Sequence, residues 1–147
     1  VALFSPLQGE PDVTHIRSVY SPVTTFFPKV AHATELDFFE VQDVSELQVG
    51  AFGIQEPSGF GRSAKLSEIE AVLVPGLVFD RTGARLGRGR GYYDRALAEY
   101  QGLKIGVCCS DRVVEHLPTE TFDVFMDYIV TDYFILRPLW APTKGLH

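Results

Sequence analysis

At 147 residues, 46% hydrophobic and 22% charged, the chain has the length and make-up of one ordinary globular domain with a substantial core. Its 13 basic residues against 19 acidic ones give a net charge of −6, which excludes general binding to a nucleic-acid backbone. No apolar run approaches the length of a bilayer span, and no signal peptide is visible, although a shortened start would hide one.

Residues 1–4 form a short apolar run that suits a strand. Val13, Ile16 and then Val19 or Tyr20 recur at helical spacing, with Asp12 placed to cap the first turn. Residues 24–27 read as a strand ended by Pro28, and residues 36–41 as a further β-prone run with an imperfect apolar pattern. From 43 to 65 glycine, serine and polar residues dominate, which predicts loop with little regular structure. Residues 69–74 are apolar apart from Glu70 and stop at Pro75-Gly76, the pattern of a central parallel strand buried on both faces. A helix is predicted over residues 92–100, with Ala96, Leu97 and Ala98 inside it and Gly102 to stop it. Residues 105–109 read as a second buried strand and residues 128–130 as a shorter third. Strand, loop, helix, strand is a βαβ unit, and such sheets bind ligands beyond the carboxyl ends of their strands. The domain is expected to run from 1 to 137, leaving 138–147, with Pro138 and Pro142, as a loosely held tail.

Cys108 and Cys109, the two cysteines of the chain, lie in the apolar run IGVCC. Without C-x-x-C spacing or histidine partners they read as core packing, and the lack of a disulfide framework fits a reducing compartment, the cytoplasm. His15, His32, His116 and His147 are scattered without the spacing of a metal site.

The most informative stretch is 74–95, VPGLVFDRTGARLGRGRGYYDR. Arg81, Arg85, Arg88, Arg90 and Arg95 all fall there in an otherwise acidic chain, and Gly87, Gly89 and Gly91 let backbone approach a ligand closely. A helix beginning near Gly91 presents free N–H groups to an anion. The reading is a phosphate cradle, set against an exposed arginine-rich turn with no ligand. The spacing is neither G-x-G-x-x-G nor G-K-[ST], so it is neither of those phosphate sites. Asp94, by position alone, is a first-turn acid that complements the helix dipole.

The segment PGLVFDRTGARLGRGRGYYDR resembles the signature of the 5-formyltetrahydrofolate cyclo-ligase (methenyltetrahydrofolate synthetase) family. Phe27-Pro28-Lys29-Val30, Leu36-Asp37-Phe38, Ile54-Gln55-Glu56-Pro57, Lys104-Ile105-Gly106-Val107, Leu117-Pro118 and Phe122-Asp123 follow in the family's order. The resemblance implies an α/β fold, a three-layer sandwich with a mostly parallel sheet similar to the NagB/RpiA/CoA-transferase-like fold. It implies ATP- and Mg²⁺-dependent cyclisation of 5-formyltetrahydrofolate to 5,10-methenyltetrahydrofolate, with release of ADP and phosphate. The ATP loop would be Arg85, Leu86, Gly87, Arg88, Gly89, Arg90, Gly91, Tyr92 and Tyr93. Ser5, Glu10 and the stretch Arg88, Gly89, Arg90, Gly91 and Tyr92 would border the folate. Arg90 and Tyr92 would be catalytic, and Asp94 and Asp123 would hold Mg²⁺. Phe122 stands where many relatives carry His, and Asp127 is close enough to compete with Asp123. The implied partner is a small-molecule substrate, with no nucleic acid and no membrane, bound by a monomer. Family members begin with a helix carrying a Lys-x-x-x-Arg pair that contacts ATP. This chain starts at Val1 without Met, so a fragment is expected, and the alternative function is a non-catalytic nucleotide- or folate-binding homologue.

Overall fold

The run Ala71–Val74 carries an apolar side chain at every position and forms a strand buried on both faces, around which the sheet is built. The computed structural model describes residues 1–19, 23–32, 35–118 and 123–138. In chain order the helices are α1 (Ile16–Val19) and α2 (Tyr92–Leu97). The strands are β1 (Phe26–His32), β2 (Glu35–Glu40), β3 (Gln48–Val49), β4 (Gln55–Glu56), β5 (Ser63–Ala64) and β6 (Ala71–Val74). They continue with β7 (Val78–Asp80), β8 (Arg85–Leu86), β9 (Leu103–Val107), β10 (Val113–Val114), β11 (Tyr128–Val130) and β12 (Ile135–Leu136).

The main sheet is mixed, with a parallel centre. β11 and β6 flank β9 in parallel, and β12 closes that side antiparallel to β11. On the other side β1, β2 and β5 form an antiparallel set. Ala2 joins the two halves, bridging Phe26 and Val72 in parallel, with Ala2 N donating to Ala71 O and Leu3 N to Phe26 O. The fold is α/β, as expected. Two apolar clusters fill the sheet's surroundings, one including Phe79, Leu97, Met126 and Ile129, the other Leu3, Phe4, Phe27 and Val107.

A small second sheet, β8-β7-β10, lies beyond the end of β6. It was not expected from the sequence, which reads as continuous loop here. Asp80, fully buried, organises it. One carboxylate oxygen accepts Thr82 N at 2.9 Å, Ala84 N at 3.0 Å and the Thr82 hydroxyl, and the other accepts Leu117 N at 2.7 Å. Burial works to raise this carboxyl, but those donors more than offset it and hold it below the usual carboxylate range. The Phe79 ring then packs on the bare faces of Gly76 and Gly106, where an added Cβ would stand 2.9 and 2.5 Å from the ring.

Three other expectations shift. β1 does not end at Pro28 but runs through it, pairing Pro28 with Phe38. By strand alternation the Pro28 nitrogen faces the same side as Phe26 N, which donates to Val1 O. Proline therefore ends the pairing with the first segment and leaves the ladder to β2 intact. α1 begins at Ile16, later than the spacing suggests, while Asp12 accepts Thr14 N and the Thr14 hydroxyl in the turn ahead of it. α2 stops at Leu97, and Tyr100 turns back to donate its hydroxyl to Ile69 O at 2.6 Å, its ring system resting on Gly102. Tyr20, Phe122 and residues 139–147 lie outside the described residues.

Candidate active site

Three connections leave the carboxyl ends of parallel segments on the same edge of the sheet: residues 5–12 after Phe4, 75–91 after β6, and 108–112 after β9. Side chains tie them together. The Arg88 guanidinium reaches the Glu10 carboxylate at 3.5 Å, and Arg112 reaches Leu77 O at 3.5 Å from beside Gly9. A small recess between them is lined by Glu10, Gly76, Leu77, Arg88, Cys108 and Arg112. Glu10 is nine-tenths buried and is aimed by Leu7 N, which donates to its carboxylate at 2.8 Å. Ser5 is also buried, and its hydroxyl alone among the described buried side-chain polar atoms has no hydrogen-bond partner. A buried hydroxyl costs free energy unless paired, which sets this one apart from the rest of the described interior.

The glycine–arginine stretch assigns different tasks to its arginines. Arg85, nearly buried, donates Nε to Pro75 O at 2.6 Å, lies over the Tyr93 ring at 5.2 Å and stands 4.0 Å from Asp94. Its guanidinium fills the space a Cβ at Gly87 would need. Burial lowers the Arg85 pKa from its ordinary value, with Asp94 opposing, and burial lifts the Tyr93 hydroxyl above its own. Arg95 donates Nη2 to Arg90 O at 2.6 Å and sits over Tyr92. Leu86 is half-exposed on β8, while its carbonyl accepts Leu77 N. Gly89 and Gly91 take φ of +93° and +69°, backbone that favours glycine, and Gly91 is the N-cap of α2.

Arg90 differs from its neighbours. Its guanidinium forms no hydrogen bond or ion pair with any described residue and lies over the Phe52 ring, 3.9 Å from the centroid. Phe52 is the one described non-glycine residue with positive φ, at +59°, and its ring lies 6.4 Å from that of Tyr92. Sequence reasoning passed over Phe52, since an isolated aromatic position in a polar loop, like Phe60 nearby, carries no signal; the sign of its φ is what marks it.

The acidic candidates separate. Asp94 sits in the first turn of α2, about a quarter exposed, with its nearest cation at 4.0 Å. Asp123 lies in the segment that Met126 ties to Gly83 through N–H···O at 2.8 Å. Asp127 is taken up elsewhere: it accepts Lys104 N at 2.9 Å and stands 3.7 Å from Lys104 Nζ, both side chains largely buried. Among the described residues no group of three His, Cys, Asp or Glu is arranged to hold a metal. Mg²⁺, which needs one or two carboxylates beside phosphate oxygens and waters, does not require such a group. An open cleft of about 720 Å³ lies elsewhere, between β2, β5 and α2, and meets this site at Arg95.

The sequence profile of the 5-formyltetrahydrofolate cyclo-ligase family matches residues 1–132, nine-tenths of the chain. The chain belongs to this family. A probable 5-formyltetrahydrofolate cyclo-ligase of Schizosaccharomyces pombe is 30% identical over 128 residues, which are 76% of this chain and 63% of the relative. The 5-formyltetrahydrofolate cyclo-ligase of Mycolicibacterium smegmatis is 40% identical over 88 residues, 58% of this chain and 45% of the relative. The chain therefore spans less than two thirds of the length of either. The NMR structure of Aquifex aeolicus 5,10-methenyltetrahydrofolate synthetase superposes with a TM-score of 0.81 at 37% identity, covering 99% of this chain and 75% of that one. Membership accounts for the Gly-Arg-Gly-Tyr-Tyr-Asp stretch. Among the described residues no helix is long and apolar enough to cross a membrane.

Proposed function

We propose that this cyclo-ligase family chain binds the triphosphate of ATP at the loop from Arg85 to Tyr93. A formylated tetrahydrofolate would lie against Ser5, Glu10 and the Arg88–Tyr92 stretch. The reading rests on Arg90, whose guanidinium stands at the carboxyl edge of the sheet between two positive-φ glycines, with its donors uncommitted to the described residues. Asp94, next to the loop and with its nearest cation, Arg85, at 4.0 Å, fits one carboxylate ligand of Mg²⁺, and Asp123 is the second candidate. When bound, Mg²⁺ would neutralise phosphate charge.

The reaction is the joining of N10 to the formyl carbon of 5-formyltetrahydrofolate. The formyl oxygen attacks the γ-phosphorus and ADP leaves. N10 then adds to the formyl carbon, loses its proton, and the carbon–oxygen bond breaks with departure of phosphate, leaving the methenyl bridge. Phosphorylation turns an amide-like oxygen into a good leaving group. Arg90 and Arg88 stabilise charge on the transferred phosphoryl group, Tyr92 offers a flat face and a hydroxyl, and Glu10 and the Ser5 hydroxyl orient the folate. Tyr93, partly buried against the core with Arg85 over its ring, contributes packing to the loop. The chain is read as acting alone, as a cytoplasmic monomer.

The test is formation of the methenyl product, followed by its near-ultraviolet absorbance, with 5-formyltetrahydrofolate and Mg-ATP. Turnover dependent on both nucleotide and metal supports the reading. Binding of Mg-ATP and folate without turnover would instead establish a non-catalytic binding homologue. Binding of neither would refute both.

A further inference from the structure

We propose that Phe52 is a positioning residue for Arg90, holding its guanidinium at the cradle while leaving its N–H donors to an anionic ligand. The inference rests on the reading of Arg90 given above. A guanidinium stacked on a ring keeps its five donors in its own plane, so an aromatic face restrains it without consuming them. The other arginines of the loop illustrate the contrast, since Arg85 and Arg95 donate to main-chain carbonyls and Arg88 leans on Glu10. Arg90 also needs an external restraint more than they do. It lies between Gly89 and Gly91, both at positive φ, and a Cβ at Gly89 would meet nothing within 4 Å.

The turn that presents Phe52 is held in place from below. Gly50 N donates to Ile54 O at 2.8 Å, and Gly53 N to Gly50 O at 3.2 Å. The Glu56 side chain lies against the bare α-carbon of Gly50, where a Cβ would stand 1.9 Å from Cδ. Lys29 fixes Glu56 in turn, at 2.7 Å. Lys29 follows Pro28 on β1 and Ser5 follows Phe4 on the parallel segment beside it, so this support stands at the same edge as the ligand-facing groups. Within that scaffold Phe52 adopts φ +59° and ψ 23° and leaves half its surface exposed. Glycine would take this backbone without strain, and a polar residue would tolerate the exposure better. A strained, half-exposed phenyl with Arg90 over its ring and the tilted Tyr92 ring 6.4 Å away is kept for what it touches.

The experiment compares wild type with F52G, F52W, R90K and the double variant F52G/R90K, reading kcat and KM for Mg-ATP at saturating 5-formyltetrahydrofolate together with Tm. F52G should lower kcat/KM for ATP about tenfold, the size of one partly desolvated cation–π contact, while Tm stays level or rises because the strain is relieved. F52W, with the stronger ring, should come back to within about twofold of wild type. In the R90K background, adding F52G should cost less than about twofold, because the group it acts through is already altered. NMR supplies a readout independent of turnover: the Arg90 side-chain protons should be shifted upfield by the ring in wild type and return to ordinary positions in F52G. Wild-type kinetics in F52G, a full tenfold loss on top of R90K, a Tm that falls with activity without rescue by F52W, or absence of the ring-current shift would each overturn the proposal. R90K kinetics identical to wild type would remove the reading of Arg90 and the proposal with it, whereas a damaged R90K beside an intact F52G removes the proposal alone.

Discussion

Asp80 offers the sharpest test of how the loop is held. In Asp80→Asn one oxygen becomes an amide that donates. If the remaining oxygen keeps Thr82 and Ala84, the new N–H₂ faces Leu117 N, which now donates to the carboxylate at 2.7 Å. One buried backbone donor is left unsatisfied, and three hydrogen bonds lose their charged acceptor. Together these cost about 3 kcal/mol. With unfolding entropy near 2.1 cal/mol/K per residue, that lowers the melting temperature of a domain this size by about 10 °C. The assay is thermal unfolding by circular dichroism at pH 7, paired with methenyl-product formation, which should fall because β7 and β8 carry the cradle. The pH dependence has a defined sign. The folded-state pKa is depressed, so the stabilisation is complete above the unfolded value of about 3.9 and is lost as pH falls through the folded one. The gap between wild type and variant should therefore narrow in acid. A melting temperature within about 2 °C of wild type at pH 7 would refute the reasoning.

Arg90→Ala should lower turnover by about a hundredfold or more with Tm moved by less than about 2 °C, as expected of a donor spent on the transition state; steady-state kinetics beside a melt check it, and normal turnover would remove Arg90 from the site. Gly91→Ala places a Cβ at φ +69° and 2.7 Å from Arg95 Nη1, so it should cost about 1–2 kcal/mol, weaken Mg-ATP binding in calorimetry and loosen the start of α2. Gly106→Ala pushes a methyl to 2.5 Å from Phe79 Cε1 and should cost about 1–3 kcal/mol by denaturant unfolding, since the ring is boxed in by Gly76 on its other side.

The parallel centre of the sheet was legible because β6 and β9 are apolar nearly throughout, and such runs have few other uses. The second sheet was not. Its strands are three, two and two residues long, too short for any periodicity to register, and it exists because a buried carboxylate gathers backbone donors from Thr82, Ala84 and Leu117. Sequence alone also left Asp123 and Asp127 as rivals; only the fold reveals that Asp127 is bound to Lys104, a strand away. Composition was enough to single out the glycine–arginine loop, but the division of labour within it could not be read. Which arginine donates to a carbonyl and which rests on a ring depends on where Pro75 and Phe52 come to lie.

Ala2 has a consequence for how the molecule assembles. Its segment is the splice between the β6 side and the β1 side of the main sheet, yet its two partners, Phe26 and Val72, lie far apart along the chain. The segment that carries Ala2 can therefore complete the central slot only once β6, a long way further along the chain, is there to receive it. Long-range parallel pairing of this kind is slow to form and leaves strand edges bare in the meantime. The edge bearing Ser5 and Glu10 continues directly from that segment, so its placement depends on the slot having closed.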